Sequence, residues 1–180
     1  MDSTDYASHL RFWIANTFVI IVTVFIVITA LPTPTDKSIF VTYVWLTLEL
    51  AFVSGSCVGL LQSFLMPHFS FQAKVRWFGI TVASIAIGWC IVFIRGYLLI
   101  SQSQASLINI SDQILPAFLD GFLNGALMGA MIGLVTGLIQ GYVQPISARQ
   151  WLMGNLISWS IGIAVPLAVT FAGLSQIRLF

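Results

Sequence analysis

Glu49, Arg95 and Asp120 each stand inside a long apolar run of the chain. An ionisable side chain held in hydrocarbon is costly, so such residues mark candidate sites for ion binding, proton transfer or solute passage. Helical rise puts Glu49 ~12 Å in from one end of its run, with Arg95 and Asp120 each roughly 7–8 Å from the same face. The three therefore share one leaflet, and Asn124, one turn from Asp120, extends the group. A common charge cluster is the sharper expectation, because Glu49 is too short to snorkel easily. Separate snorkelling to the headgroups is the plainer one, and long Arg does that readily.

Two uncharged residues carry a second signal. Gln62 and Gln140 occupy matching places in "GLLQSFLMP" (59–67) and "GLIQGYVQP" (137–145). Hydrogen bonding between hairpins is the expected use, with ligand contact as the alternative. His9 and His68 lack a third partner at ligand spacing, so no metal site is expected. Cys57 and Cys90 lie in apolar segments, where free Cys serves as a small hydrophobe. Asn109, Ile110 and Ser111 form a glycosylation sequon, which matters only in a eukaryotic secretory pathway. Phosphate loops, serine-hydrolase elbows and zinc-protease motifs are absent, so neither enzyme chemistry nor a cofactor is expected.

The elements that must position these residues follow from composition. The 180 residues are 58% hydrophobic and 7% charged, with mean hydropathy +0.98. A soluble domain carries about 25% charged residues. Lipid is the expected solvent, and a net charge of +1 gives no basis for binding nucleic acid. Five runs can cross a hydrocarbon core: 12–31, 41–66, 77–100, 115–143 and 151–173. They form one transmembrane domain spanning 1–180. Backbone polar groups must be satisfied within each run, so all five are expected to be α-helices. The acidic opening "MDSTDYASHLR" is unlike a signal peptide, so the first run reads as a retained helix. Arg11, Lys74, Arg76 and Arg149 fall on the N-terminal face and Lys37 and Arg178 on the other, which favours a cytoplasmic N-terminus and an external C-terminus. Trp77 and Trp151, beside Arg76 and Arg149, are expected as headgroup anchors.

The last four runs read as a parallel repeat of two hairpins, 41–100 and 115–173. Beyond the glutamine motif, the spacing W-x6-S-x2-I-G recurs as Trp77, Ser84, Ile87, Gly88 and as Trp151, Ser158, Ile161, Gly162. Through its G-L-x-Q cores and following tryptophans, the stretch 50–165 resembles uncharacterised small multi-pass membrane proteins of cyanobacteria and other filamentous phototrophs. That resemblance implies a bacterial inner or thylakoid membrane and no particular chemistry.

Gly121, Gly125, Gly129, Gly133, Gly137 and Gly141 recur at every fourth position of the fourth run. Four residues turn a helix by about 400°, so these glycines line one shallow groove, as in a glycine zipper. In lipid, such grooves serve close helix packing. The fourth helix is expected as a hub, meeting Gly55 and Gly59 of the second and Gly154, Ser158 and Gly162 of the fifth. Self-association through the groove is the alternative. Two functions remain: a non-enzymatic packing or assembly subunit of a larger membrane complex, or a small ion or solute transporter built on Glu49, Arg95 and Asp120.

Overall fold

A computed structural model describes residues 3–30, 39–66, 69–103, 113–143 and 148–177. Five helices account for almost all of them: α1 (Ser3–Ala30), α2 (Ile39–Leu65), α3 (Phe71–Ser103), α4 (Ile114–Val143) and α5 (Ala148–Ile177). All five are long and apolar enough to cross a membrane, and the described residues contain no strand.

Several ends extend past the apolar runs because a helix can continue where hydrophobicity stops. α3 starts at Phe71, since Ser70 accepts a hydrogen bond from the Ala73 N–H at 3.3 Å and caps the first turn. α4 admits Pro116 in its first turn, where a missing N–H costs nothing. Pro166 lies inside α5 and cannot donate to the Gly162 carbonyl, a break that membrane helices tolerate when neighbours support them.

The helices close into a ring in chain order. α1 packs on α2, α2 on α3, α3 on α4, α4 on α5, and α5 returns to α1. Among the described residues, no helix lays its backbone against one across the ring. Neighbours run antiparallel except at the closure. There Gly154 faces Trp13 and Gly162 faces Ile20, so α1 and α5 run parallel.

This arrangement corrects the expected hub. α4 is one member of the ring, packed on α3 and α5, and the atoms nearest its glycine positions belong to α5. A Cβ on Gly121, Gly125, Gly129, Gly133 or Gly137 would fall within 2.1–2.8 Å of α5 backbone, between Leu167 at one end and Leu152 at the other. Gly141 faces Ala148 at 3.3 Å. Gly55 and Gly59 meet α3 instead, at Val82 and Phe78, while Gly154 and Gly162 meet α1. Ser158 donates to the Trp13 carbonyl, also on α1. The sequence spacing marks a face that must be approached closely; it carries no information about which helix approaches.

The apolar core gathers Ile20, Val24, Val58, Ile85, Ile132 and Ile163 inside the ring. The outside is apolar too, with Phe18, Phe52, Phe64, Leu115 and Leu123 all at least 65% exposed. Hydrophobic side chains on both surfaces suit a protein whose outer solvent is lipid.

Candidate functional site: a buried amide layer

Hydroxyls and amides behave differently in apolar helices. Thr17, Thr23, Thr29, Ser54, Ser63 and Thr170 each donate to the carbonyl four residues earlier in their own helix. Such a hydroxyl places no demand on a neighbour. A Gln or Asn amide has two N–H donors and an acceptor, more than its own turn can satisfy, and so must find partners across helices.

The ring supplies them. Asn16 of α1, Gln62 of α2, Thr81 of α3, Gln140 of α4 and Asn155 of α5 meet inside it, all fully buried. Gln140 Nε2 donates to Gln62 Oε1 and to Thr81 Oγ1, each at 2.9 Å. Gln62 Nε2 donates to Asn16 Oδ1 at 3.0 Å, and Thr81 Oγ1 donates to Gln62 Oε1 at 3.3 Å. Asn155 Nδ2 donates to Gln140 Oε1 and to the carbonyl of Trp151, both at 3.0 Å. Every helix thus contributes one member to a single connected layer.

Position along the helices explains why these five meet. α1, α3 and α5 start at the N-terminal face and carry Asn16, Thr81 and Asn155 a few turns in. α2 and α4 end at that face, with Gln62 and Gln140 close to their last turns. The longer Gln side chains reach inward to the same level.

An aromatic stack covers the layer on its N-terminal side. Trp13, Trp77 and Trp151 stand three or four residues before Asn16, Thr81 and Asn155. Ring centroids lie 5.2 Å apart for Trp13 and Trp151 and 5.3 Å apart for Trp77 and Trp151, both edge-to-face. Phe12 adds a further edge contact to Trp151 at 5.5 Å. Trp77 and Trp151 are 2% and 5% exposed, which corrects the expected headgroup anchors. They face inward, closing one end of the ring, while Arg76 and Arg149 beside them are exposed. A cleft of about 310 Å³ at this end is lined by Phe69, Ser70, Gln72, Arg76, Trp77 and Val143, among others. Deeper in the ring, Trp89 Nε1 donates to Ser54 Oγ at 3.2 Å, and aliphatic side chains fill the rest.

The charged residues are not brought together. No ion pair joins Glu49, Arg95 and Asp120. Glu49 Oε1 accepts a 2.6 Å bond from Trp45 Nε1 on its own helix, and Asn124 Nδ2 donates back to the Asp120 carbonyl at 3.0 Å. Asp120 and Asn124 are exposed, Glu49 and Arg95 half-buried. Measured from the amide layer, Glu49 lies 13 residues from Gln62, Arg95 14 from Thr81 and Asp120 20 from Gln140. At about 1.5 Å per residue, Asp120 therefore stands ~9 Å further along the ring axis than the other two. Cys57 is half-buried and Cys90 exposed, on separate helices. His68, Lys37, Arg178 and the sequon at 109–111 lie outside the described residues, as does the side chain of His9.

Sequence reading pointed to Gln62 and Gln140 but passed over Asn16, Thr81 and Asn155. A signal for two of them was present. Thr81 and Asn155 each stand four residues after the matching tryptophans Trp77 and Trp151, so the repeat pattern extended one step further reaches both. Asn16 has no counterpart in the repeat, and only its amide chemistry within an apolar run marks it.

Comparison with known proteins finds no matching family model, no matching curated protein and no matching solved structure.

Proposed function

We propose that the protein is a non-enzymatic multi-pass membrane subunit that packs into, or helps assemble, a larger membrane complex. The bacterial inner or thylakoid membrane is the proposed location, with the N-terminus in the cytoplasm. The observation that carries this reading is the amide layer: one residue from every helix is engaged in it, which sets the register of all five. Buried polar contacts of this kind are best attested as devices of structural specificity. The result is a preset body whose outer surface remains apolar and open to lipid or to a partner helix. The glycine stripe is already occupied by α5, so a partner would use another face.

Purification from native membranes in mild detergent tests this. A defined partner that persists at fixed stoichiometry through two orthogonal steps is the expected result. Recovery of the chain as an isolated monomer would overturn the proposal. Reporter fusions at both termini test the orientation, which requires the two ends on opposite faces.

One observation favours the second reading, a small solute transporter. The interior holds a polar layer where a simple scaffold could hold Leu, and two of its atoms lack partners in the protein. Flux through proteoliposomes that is lost in Gln140→Leu, with folding retained, would move the assignment there. Glu49→Gln should leave such a flux unchanged, because Glu49 is not among the five residues of the layer.

A further inference from the structure

The hydrogen bonds of the amide layer have a direction, and one backbone atom sets it. The Trp151 carbonyl can only accept, so the Asn155 side chain must present Nδ2 to it and to Gln140 Oε1. Gln140 must then point its Nε2 at Gln62 Oε1 and Thr81 Oγ1. Gln62 is left to donate from Nε2 to Asn16 Oδ1. No amide in this chain can be turned over without setting a donor against a donor or an acceptor against an acceptor.

The two ends are therefore fixed and complementary. Asn16 Nδ2 is a donor without a partner, and Asn155 Oδ1 is an acceptor without one. Both residues are fully buried, and they belong to α1 and α5, the parallel pair that closes the ring. The contacts of Gly154 with Trp13 and of Gly162 with Ile20 bracket both asparagines in the same stretch of that seam. The two free atoms are not hydrogen-bonded to each other.

We infer that one small neutral molecule, of the size of water and able both to donate and to accept, binds between Asn16 Nδ2 and Asn155 Oδ1. It accepts from the first and donates to the second, which completes the polar circuit across the α1–α5 seam. Thr136 Oγ1, buried without a partner one turn from Gln140, is a further polar group of this interior. The layer holds no ionised side chain, and a single free N–H or carbonyl oxygen is far too little to replace the hydration of an ion. The ligand is therefore uncharged. Trp13 and Trp151 pack edge to face one turn away, and Ile20 and Trp159 are fully buried in the same core, so the surroundings of the pair are closely packed. A buried water with two or more polar partners is a regular part of protein interiors. The inference stands whether the protein assembles a complex or carries a solute.

The test uses the full chain in lipid nanodiscs with its asparagines labelled with nitrogen-15 and carbon-13. There are four, Asn16, Asn109, Asn124 and Asn155. Magnetisation transfer from water to the side-chain amides is recorded, with Asn16 assigned by the signal missing in Asn16→Ser. The expected result is a strong transfer to Asn16 Nδ2, with the sign of a long-lived bound water. Asn155→Leu should reduce that transfer at least fivefold while leaving the Asn124 signal unchanged. Absence of water transfer at Asn16 in the wild-type protein would overturn the inference. So would a through-bond coupling from Asn16 Nδ2 directly to the Asn155 side-chain carbonyl. The wild-type spectrum decides even if the Asn155 variant fails to fold.

Discussion

The two helical hairpins carry the same spacing and are packed differently. Gly55, Gly59 and Gln62 of α2 stand in the same relation to one another as Gly133, Gly137 and Gln140 of α4. Against α5, a Cβ on Gly133 would lie 2.6 Å from the Asn155 carbonyl oxygen, and one on Gly137 would lie 2.8 Å from the Leu152 Cα. Against α3, a Cβ on Gly55 would sit at an ordinary 3.5 Å from the Val82 Cα. Gly59 is tighter at 3.0 Å, but its neighbour is the ring of Phe78. The partner surface makes the difference. α5 turns its backbone to the stripe, with the Asn155 and Trp159 carbonyls and the Cα atoms of Leu152, Leu156, Ala164 and Ala168 nearest, whereas α3 meets Gly59 with the side chain of Phe78 and Gly55 at ordinary contact with Val82. Glycine spacing permits backbone contact, and the facing helix decides whether it happens. The amide layer is what the two hairpins have in common, and it joins them to α1.

The largest expected effect is at Gly129, whose Cβ would lie 2.1 Å from the Trp159 carbonyl oxygen. Gly129→Ala should cost on the order of 3 kcal/mol or more, since backbone cannot move aside as a side chain can. Gly129→Leu and Gly133→Leu should fail to give folded protein in detergent. A Gly129→Ala variant as stable as wild type would remove backbone contact from the account.

Paired alanines separate the two hairpins. Gly133→Ala should lose about 2 kcal/mol by overpacking, while Gly55→Ala should stay within about 0.5 kcal/mol of wild type. Thermal unfolding in one detergent measures both. Equal losses would mean that the hairpins are packed alike after all.

Gln140→Leu comes next. It removes three hydrogen bonds and leaves Asn155 Nδ2 with only its helical partner. Hydrogen bonds between membrane helices contribute about 0.6 kcal/mol each on average, so a loss of about 1–2 kcal/mol is expected from unfolding curves.

The smallest effects belong to the outer residues. Leu127→Ala, at a position 47% exposed and off the stripe, should change stability by less than about 0.5 kcal/mol. Arg95→Ala combined with Glu49→Gln or Asp120→Asn should give additive changes within about 0.5 kcal/mol, as expected for groups with no shared partner. A strong coupling there would reinstate the charge cluster.

The five helices were legible in the sequence because hydrocarbon leaves the backbone no other way to satisfy itself. Their ends were less so. Phe71 begins a helix under the cap of Ser70, well before the apolar run at Trp77. The stripe from Gly121 to Gly141 announced a close approach, but spacing along one helix does not name the partner. Two of the five residues of the amide layer could be found because Gln62 and Gln140 repeat. Asn16 could not be placed without the ring closure that brings α5 back to α1. Glu49, Arg95 and Asp120 misled because the ends of apolar runs give depth only coarsely: the amide layer, which fixes the true register, puts Asp120 ~9 Å beyond the other two.

The claim that one hydrogen-bonded layer ties the five helices is tested most directly between Gln62 and Gln140, which join the two hairpins at 2.9 Å. A double-mutant cycle with Gln62→Leu and Gln140→Leu, read by thermal unfolding in lipid nanodiscs, isolates their coupling. The double variant should lose less than the sum of the single losses, by about 1 kcal/mol. Strictly additive losses, with both single variants folded, would contradict it.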